Sequence, residues 1–448
     1  MLYRLTVSNF FSIGKELSLD MFPYGRLRKK KGHIYDHPAV PVLKSAAIYG
    51  ANGSGKSNFV LALACLRRFV VDNTIGVENK RIEAFRLDDT LLQEPSLLEI
   101  EFSTADRSYR YGVALRAFTV VKEYLYLITP AEEEREPELI FSRSQSKDKA
   151  DVTMNGRFQT TEKDRARISI YVQEFLKNSD SLLNLLAGSD AYPELAAILR
   201  WFEDRLVIIQ PTTRLMNLAE ALREDAGFKQ MANTLLQSID TGVSEIGLYT
   251  TDYDALFGLD DPEQKQRVLQ QLTDGAEYVR LWFKGEVALA HRRGERLLVS
   301  RVTTPHANGD GHMTFFPEEE SDGTRRVLDF LPLWHALFTQ DTTVVIDEIG
   351  RSLHPNLVVQ LLRIFLEGST RGQLLFTTHD ANLLQRDLLR RDEIWLMEKD
   401  QKGSSAIGPL TDFKIRDDLD LRRGYLNGRF GGVPELRSVF PEDFVPHE

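Results

Sequence analysis

Gly50-Ala51-Asn52-Gly53-Ser54-Gly55-Lys56-Ser57 follows the pattern G-x-x-x-x-G-K-[ST], and the residues before it, Ala46-Ala47-Ile48-Tyr49, read as a short buried strand feeding a helix that begins near Lys56. The glycines let the backbone wrap a polyphosphate with its N–H groups. Lys56 can reach the β- and γ-phosphates, and the Ser57 hydroxyl can ligate Mg²⁺. Strand, loop and helix in that order put the pattern in its proper context, so the chain is expected to bind ATP or GTP. Gly50, Asn52, Gly53, Ser54, Gly55, Lys56 and Ser57, with Asn58 directly behind, are the candidate nucleotide-binding residues.

Working outward, Thr343-Val344-Val345-Ile346-Asp347-Glu348 is an apolar strand that delivers two carboxylates at its C-terminal end, where ligands bind in open α/β sheets. Asp347 is then placed to orient Mg²⁺ or its water shell. Glu348 is placed to polarise an attacking water as general base. Such a pair is a weak signal alone and a strong one beside Lys56 and Ser57. Further on, Leu374-Leu375-Phe376-Thr377-Thr378-His379-Asp380 puts a histidine just past the next strand. His379 can bond a γ-phosphate or the lytic water there; the blander reading is a histidine capping the following helix with Asp380.

A chain of 448 residues, 42% hydrophobic, can bury a large core, and its length suggests two or three domains. No apolar run approaches the length of a membrane span. The opening Met1-Leu2-Tyr3-Arg4-Leu5-Thr6-Val7 alternates like a strand and lacks the layout of a signal peptide, so a cytoplasmic protein is expected. The single cysteine, Cys65, falls on the apolar face of the helix after the loop, which rules out a disulfide framework or a cysteine metal site within one chain. A formal charge of −10 argues against a nucleic-acid coat but leaves room for a local basic groove. Basic clusters stand at Arg26-Leu27-Arg28-Lys29-Lys30-Lys31, at His291-Arg292-Arg293 with Arg296 and Arg301, and at Arg422-Arg423; each reads first as a solvated face. Glu132-Glu133-Glu134 and Glu318-Glu319-Glu320 offset them.

Strands are expected at residues 3–7, 16–21 and 46–49. Residues 97–102, 109–115 and 123–127 alternate with period two, as antiparallel strands with one wet face do. Helix-favouring sequence runs from about residue 160 to 275, interrupted by a strand at 205–210. Strand patterns return at 279–283 and 297–302. From Gly323, helix, strand, helix and strand alternate as in a parallel α/β sheet.

The loop Gly50 to Ser57, the pair Asp347-Glu348 and His379 together resemble ABC-type ATPases of the SMC, RecF and OLD class. In that class Ser321-Asp322-Gly323-Thr324 would be the signature motif. It departs from the common S-G-G-Q at Asp322 and Thr324, but keeps the serine and glycine that face a γ-phosphate. The signature of one protomer closes on the nucleotide of another, which implies a homodimer or higher homo-oligomer joined through its ATP sites. The opening Leu5-Thr6-Val7-Ser8-Asn9-Phe10-Phe11-Ser12-Ile13 also looks like these ATPases. Glu320 to Thr324, Asp347 to Pro355 and Gly424-Tyr425-Leu426-Asn427-Gly428-Arg429-Phe430-Gly431-Gly432-Val433-Pro434 resemble a narrower group, bacterial ATPases of the abortive-infection AbiL/RloA type, which includes the ATPase subunit of the PARIS anti-phage system. Gly350 stands where many relatives have an acid, and His354 replaces the aspartate of the usual dimer loop. No Q-loop glutamine is assigned; Ala84-Phe85-Arg86-Leu87 occupies its place.

The resemblance implies an α/β fold, an ABC-type P-loop ATPase with an antiparallel β lobe and a helical insertion. Residues 1–150 would be the N-terminal part of the ATPase domain, 151–290 the mainly helical insertion available for dimer or effector docking, and 291–448 the C-terminal part. It also implies an enzyme that uses ATP and Mg²⁺, with Lys56, Glu348 and His379 catalytic, Ser57 and Asp347 on the metal, and Ser321 and Gly323 completing the nucleotide site. OLD-type nucleases add a Toprim domain; the stretch after His379 is too short for one, and Asp417, Asp418 and Asp420 read as a helix start or solvated loop. A nuclease effector of Toprim type is therefore expected on another chain, with a phage-encoded trigger upstream. The rival readings are a RecF-like ATP-dependent DNA-repair clamp, which would bind nucleic acid, and a small-molecule kinase, which the distant acid pair fits poorly.

Overall fold

The computed structural model describes residues 1–76, 82–104, 106–130, 135–146, 149–213, 217–239, 241–258, 261–308, 311–416 and 419–433. Glu132 to Glu134, Asp417, Asp418 and Pro434 lie outside the described residues. The chain forms two compact units, one of Met1–Pro211, Asp341–Ile349 and Arg371–Glu448, the other of Thr212–Gln340 and Gly350–Thr370.

In the first unit the short apolar runs become strands of one sheet because they are buried on both faces, as parallel strands are. Every residue of Ser45–Tyr49, Thr343–Ile346 and Gln373–Thr378 is buried. The sheet order is Leu206–Ile209, Thr343–Ile346, Gln373–Thr378, Ser45–Tyr49, Ile394–Lys399 and Ser405–Pro409. All neighbours are parallel except the last pair. Ile346 lies opposite both Ile209 and Phe376, and Thr378 opposite Tyr49. This register brings Gln210, Asp347, His379 and Gly50, each the residue after its strand, to one edge of the sheet.

A second sheet of the same unit is antiparallel, in the order Lys149–Met154, Glu138–Ser146, Thr119–Ile128, Arg107–Arg116, Ser96–Thr104, Leu2–Ser8 and Leu17–Asp20. The helix Lys56–Asp72 joins the two sheets into one core. Its Phe59, Leu63, Leu66 and Phe69 share a continuous apolar cluster with Ile48 and Leu375 of the parallel sheet and with Leu5, Leu98 and Phe102 of the antiparallel one. Cys65 is free and buried in this cluster, and burial pushes its thiol up to about 12, so it is an inert core residue.

A fully buried glutamine ties the N-terminal strand to the parallel sheet. The Gln373 Oε1 accepts from the Leu2 N–H at 2.6 Å, and its Nε2 donates to the carbonyls of Leu2 and Leu43, both at 3.1 Å.

The second unit is built on an antiparallel sheet ordered Gly247–Asp252, Arg296–Asn308, Glu286–Arg293 and Val279–Phe283, with Gly311–Phe315 paired to the far part of the long strand. Its helix Asp322–Thr339 buries Val327, Leu331 and Trp334, and the Trp334 Nε1 donates to the Leu361 carbonyl of the helix Pro355–Glu367 at 3.3 Å. The stretch from 160 to 275 is helical only in part. Leu206–Ile209 joins the parallel sheet, as its apolar run predicts. Gly247–Asp252 is a strand that its polar Tyr-Thr-Thr-Asp makeup conceals. Among the described residues no helix is long and apolar enough to cross a membrane.

Gln373→Leu should destabilise the protein by roughly 3 kcal/mol, because it strands three buried backbone groups without a partner. A lowered urea midpoint with an unchanged m-value is the expected result.

Candidate functional site

The phosphate loop leaves a buried strand at Tyr49 and enters the helix Lys56–Asp72 at Gly55, whose φ of 111° is in the left-handed region that favours glycine. A methyl group there would lie 2.1 Å from the Ser405 hydroxyl and 2.9 Å from that of Ser12, so the loop is pressed against both serines. The Ser405 Oγ donates to the Ser54 carbonyl at 2.7 Å, and the Asn58 Nδ2 donates to the Ser12 Oγ at 2.8 Å. Lys399 adds a third anchor, its Nζ donating to the Ser405 Oγ at 3.2 Å. Ser12 lies in the opening motif; Ser405 and Lys399 carry no sequence signal, because only the antiparallel edge pair brings them to the loop.

The helix starts without a side-chain cap and without an acid in its first turn. Its first N–H groups and the positive end of its dipole are therefore suited to an anion, and the residues fit a polyphosphate. Asn52, Gly53 and Ser57 are exposed, whereas Ser54 is buried with its Oγ making no hydrogen bond. Lys56 is buried, and its Nζ donates to the carbonyls of Gly50 at 2.7 Å and Ala51 at 3.1 Å. Burial lowers its affinity for a proton, and the nearby carboxylates of Asp347 and Glu348 act in the opposite direction. The phosphate-loop lysine and the acid pair thus share one electrostatic environment.

The acid pair is held by a residue that motif reading passes over. The Thr377 hydroxyl donates to the Asp347 Oδ1 at 2.5 Å and accepts from the Glu348 N–H at 2.8 Å. Asp347 is buried, and its N–H donates to the Ile209 carbonyl at 2.8 Å. Glu348 has a φ of 55°, a left-handed conformation that costs a residue with a side chain about 1 kcal/mol. His379 follows the strand Gln373–Thr378 and is exposed. Asp380 caps the next turn by itself, accepting from the Asn382 N–H at 2.9 Å, so His379 is not the cap.

Gln210 directly follows the strand Leu206–Ile209, one strand over from Asp347. It is a glutamine at the same end of the sheet as Asp347. In the stretch Ala84 to Leu87, the Phe85 N–H donates to the Asn9 Oδ1 at 2.9 Å and the Phe85 ring packs beside Gly14. As to Mg²⁺, no group of three or more His, Cys, Asp or Glu side chains is placed to hold a metal among the described residues. Ser57 and Asp347 nevertheless fit Mg²⁺, which takes one or two protein oxygens and fills its octahedron with phosphate and water.

Ser321 and Gly323 belong to the second unit. Ser321 is exposed and caps its own helix, its Oγ accepting from the Thr324 N–H at 3.1 Å. A methyl on Gly323 would lie 3.0 Å from the Ser352 carbonyl, so the glycine allows the two loops to meet. His354 caps the helix Pro355–Glu367, its Nδ1 accepting from the Asn356 N–H at 3.2 Å.

A phosphate loop opening an uncapped helix, with an acid pair directly after a parallel strand of the same sheet, defines the class of α/β P-loop ATPases. Residues 45–385 match the family described as "AAA domain, putative AbiEii toxin, Type IV TA system", and the chain belongs to that family. No curated protein matches it in sequence. Among solved structures it is similar to the SMC head domain from Thermotoga maritima, at 13% identity and a TM-score of 0.38 over 91% of this chain and 98% of that one. It is also similar to the SmcHead bound to the C-winged helix domain of ScpA, at 12% identity and a TM-score of 0.42 over 91% and 97%. A third similar structure is the Smc head domain bound to the C-terminal domain of ScpA derived from Pyrococcus furiosus, at 13% identity and a TM-score of 0.39 over 96% and 99%.

If Asp347 and Glu348 carry out hydrolysis, Thr377→Val should lower kcat for ATP hydrolysis by roughly 10-fold to 100-fold while ATP binding changes little, since its hydroxyl holds both residues. Thr377→Ser should restore most of the rate in a phosphate-release assay.

Proposed function

We propose that this chain is the ATP-binding and ATP-hydrolysing sensor and motor of an anti-phage defence complex, controlling a separately encoded effector nuclease. The observation that carries the ATPase part is the convergence of Lys56, Asp347, Glu348 and His379 at one edge of a parallel sheet, with Lys56 and the two carboxylates in electrostatic contact. The family's AbiEii description supports the defence part. The loop amides and Lys56 bind the β- and γ-phosphates. Glu348 takes the proton from a water whose oxygen attacks the γ-phosphorus, the bond to the β-phosphate oxygen breaks, and ADP leaves. His379 holds the γ-phosphate or that water. Ser57 and Asp347 would hold Mg²⁺, which would supply neutralisation of the phosphate charge.

Ser321 and Gly323 of a second copy complete the site in this reading, so ATP closes a homodimer or a higher homo-oligomer. Residues 151–290 supply the surface for effector or phage trigger, and the exposed Tyr249 and Trp282 support this placement. A RecF-like repair clamp is the second reading. It is favoured by a groove lined by Arg26, Arg28, Lys29 and Arg386, and ATP-dependent binding of duplex DNA in the absence of any effector would select it.

Lys56→Ala should abolish nucleotide binding, whereas Glu348→Gln should bind ATP and hydrolyse it slowly. In bacteria carrying this gene beside its effector gene, both substitutions should remove protection against phage. Wild-type hydrolysis by Glu348→Gln at saturating ATP would sink the general-base role, and protection by this gene without neighbours would place the toxic activity in this chain.

Mixing Lys56→Ala protein with Ser321→Arg protein should restore part of the ATPase activity, because a mixed dimer keeps one intact composite site. Mixed dimers without activity would count against the arrangement in trans.

A further inference from the structure

The run Gly424-Tyr425-Leu426-Asn427-Gly428-Arg429-Phe430-Gly431-Gly432-Val433 has no part in the hydrolysis scheme, yet it is built onto the phosphate loop. The Tyr425 ring meets Tyr49 edge-on, with centroids 5.8 Å apart and planes at 67°, and Tyr49 is the residue before Gly50. The Tyr425 hydroxyl donates to the Gly432 carbonyl at 2.9 Å, so the side chain that touches Tyr49 also pins the turn.

The turn comes unusually close to its neighbours. Gly431 and Gly432 have φ of 72° and 70°, and the Gly432 N–H donates to the Glu398 carboxylate at 3.2 Å. A methyl on Gly432 would lie 3.7 Å from the Gly50 Cα and 3.8 Å from the Met397 carbonyl. From the opposite side, a methyl on Gly50 would lie 2.3 Å from the same Met397 carbonyl. Gly50 and Gly432 therefore lie against one carbonyl, with Gly50 pressed on it and Gly432 in ordinary contact. The Gly50 carbonyl in turn accepts from the Lys56 Nζ at 2.7 Å. The helix Leu421–Leu426 also packs on the turn Ala381–Leu383, just past His379.

We propose that Tyr425 and Gly432 are positioning residues of the nucleotide site: they hold Gly50 so that its carbonyl seats Lys56 for the phosphates. This rests on the ATPase reading above. Coupling of this kind is reciprocal: if the turn sets the affinity for ATP, ATP must set the order of the turn. The segment is then a reader of nucleotide occupancy as well as a support.

Two measurements test this. In the wild-type protein, ATP with Mg²⁺ should slow hydrogen exchange of the amides from Tyr425 to Gly432. Tyr425→Ala should raise the KM for ATP by about tenfold with kcat within about twofold, and Tyr425→Phe, which keeps the ring on Tyr49, should raise it by about threefold or less. A merely structural role would lower the melting temperature and leave the KM of the folded protein where it was. Unchanged exchange in the segment, in protein that binds ATP, would overturn the proposal, and so would an unchanged KM in folded Tyr425→Ala. Should Tyr425→Ala fail to fold, the exchange measurement decides alone. Wild-type protein that binds no ATP would instead remove the ATPase reading itself.

Discussion

Parallel strands in register all end on the same side, and that single constraint organises the first unit. Four residues that follow strands, Gln210, Asp347, His379 and Gly50, come to one edge although they are scattered over more than a third of the chain. The side chains that do the holding come from the same rule applied one residue earlier. Thr377 is the penultimate residue of its strand, which puts its hydroxyl level with the Asp347 carboxylate on the neighbouring strand. No residue of this edge is positioned by a loop alone.

The parts of this site that were legible in the sequence are those whose chemistry is local. The phosphate loop, the acid pair and the helix that follows each declare themselves within about ten residues, because backbone turns, apolar runs and caps are short-range effects. Thr377, Ser12, Ser405 and Gln210 were not legible, since their roles depend on which strands pair and in what register. Gly247–Asp252 escaped for another reason: on a half-exposed strand, Tyr and Thr read as polar sequence although they suit a pleated surface.

Charge and strain are concentrated where the chemistry is proposed. Lys56 is buried beside two carboxylates, and Glu348 is bent into a left-handed conformation that Thr377 secures through its N–H. Both arrangements cost folding free energy, and the apolar core that wraps the helix Lys56–Asp72 from two sheets offsets them. The glycines follow the same logic: Gly55 admits the serine pair and Gly50 admits the Met397 carbonyl, so each lacks a side chain because a neighbour occupies that space.

If Ser321 completes the site of a second copy, as proposed above, its cap gives a reason for closure to depend on ATP rather than on contact between subunits alone. In the free chain the Ser321 hydroxyl already has a partner, the Thr324 N–H that it caps. A phosphate offered by a second copy must therefore compete with a satisfied cap, whose loss costs about 1 kcal/mol. A γ-phosphate meets the same helix end with full charge, and accepts from the N–H groups as well as from the hydroxyl, so it can replace the cap without leaving a donor unpaired. Neutral or merely adjacent surfaces cannot make that exchange. In the proposed assembly the cap would then act as a threshold, separating the closed state from the open one by the charge of the nucleotide between the copies.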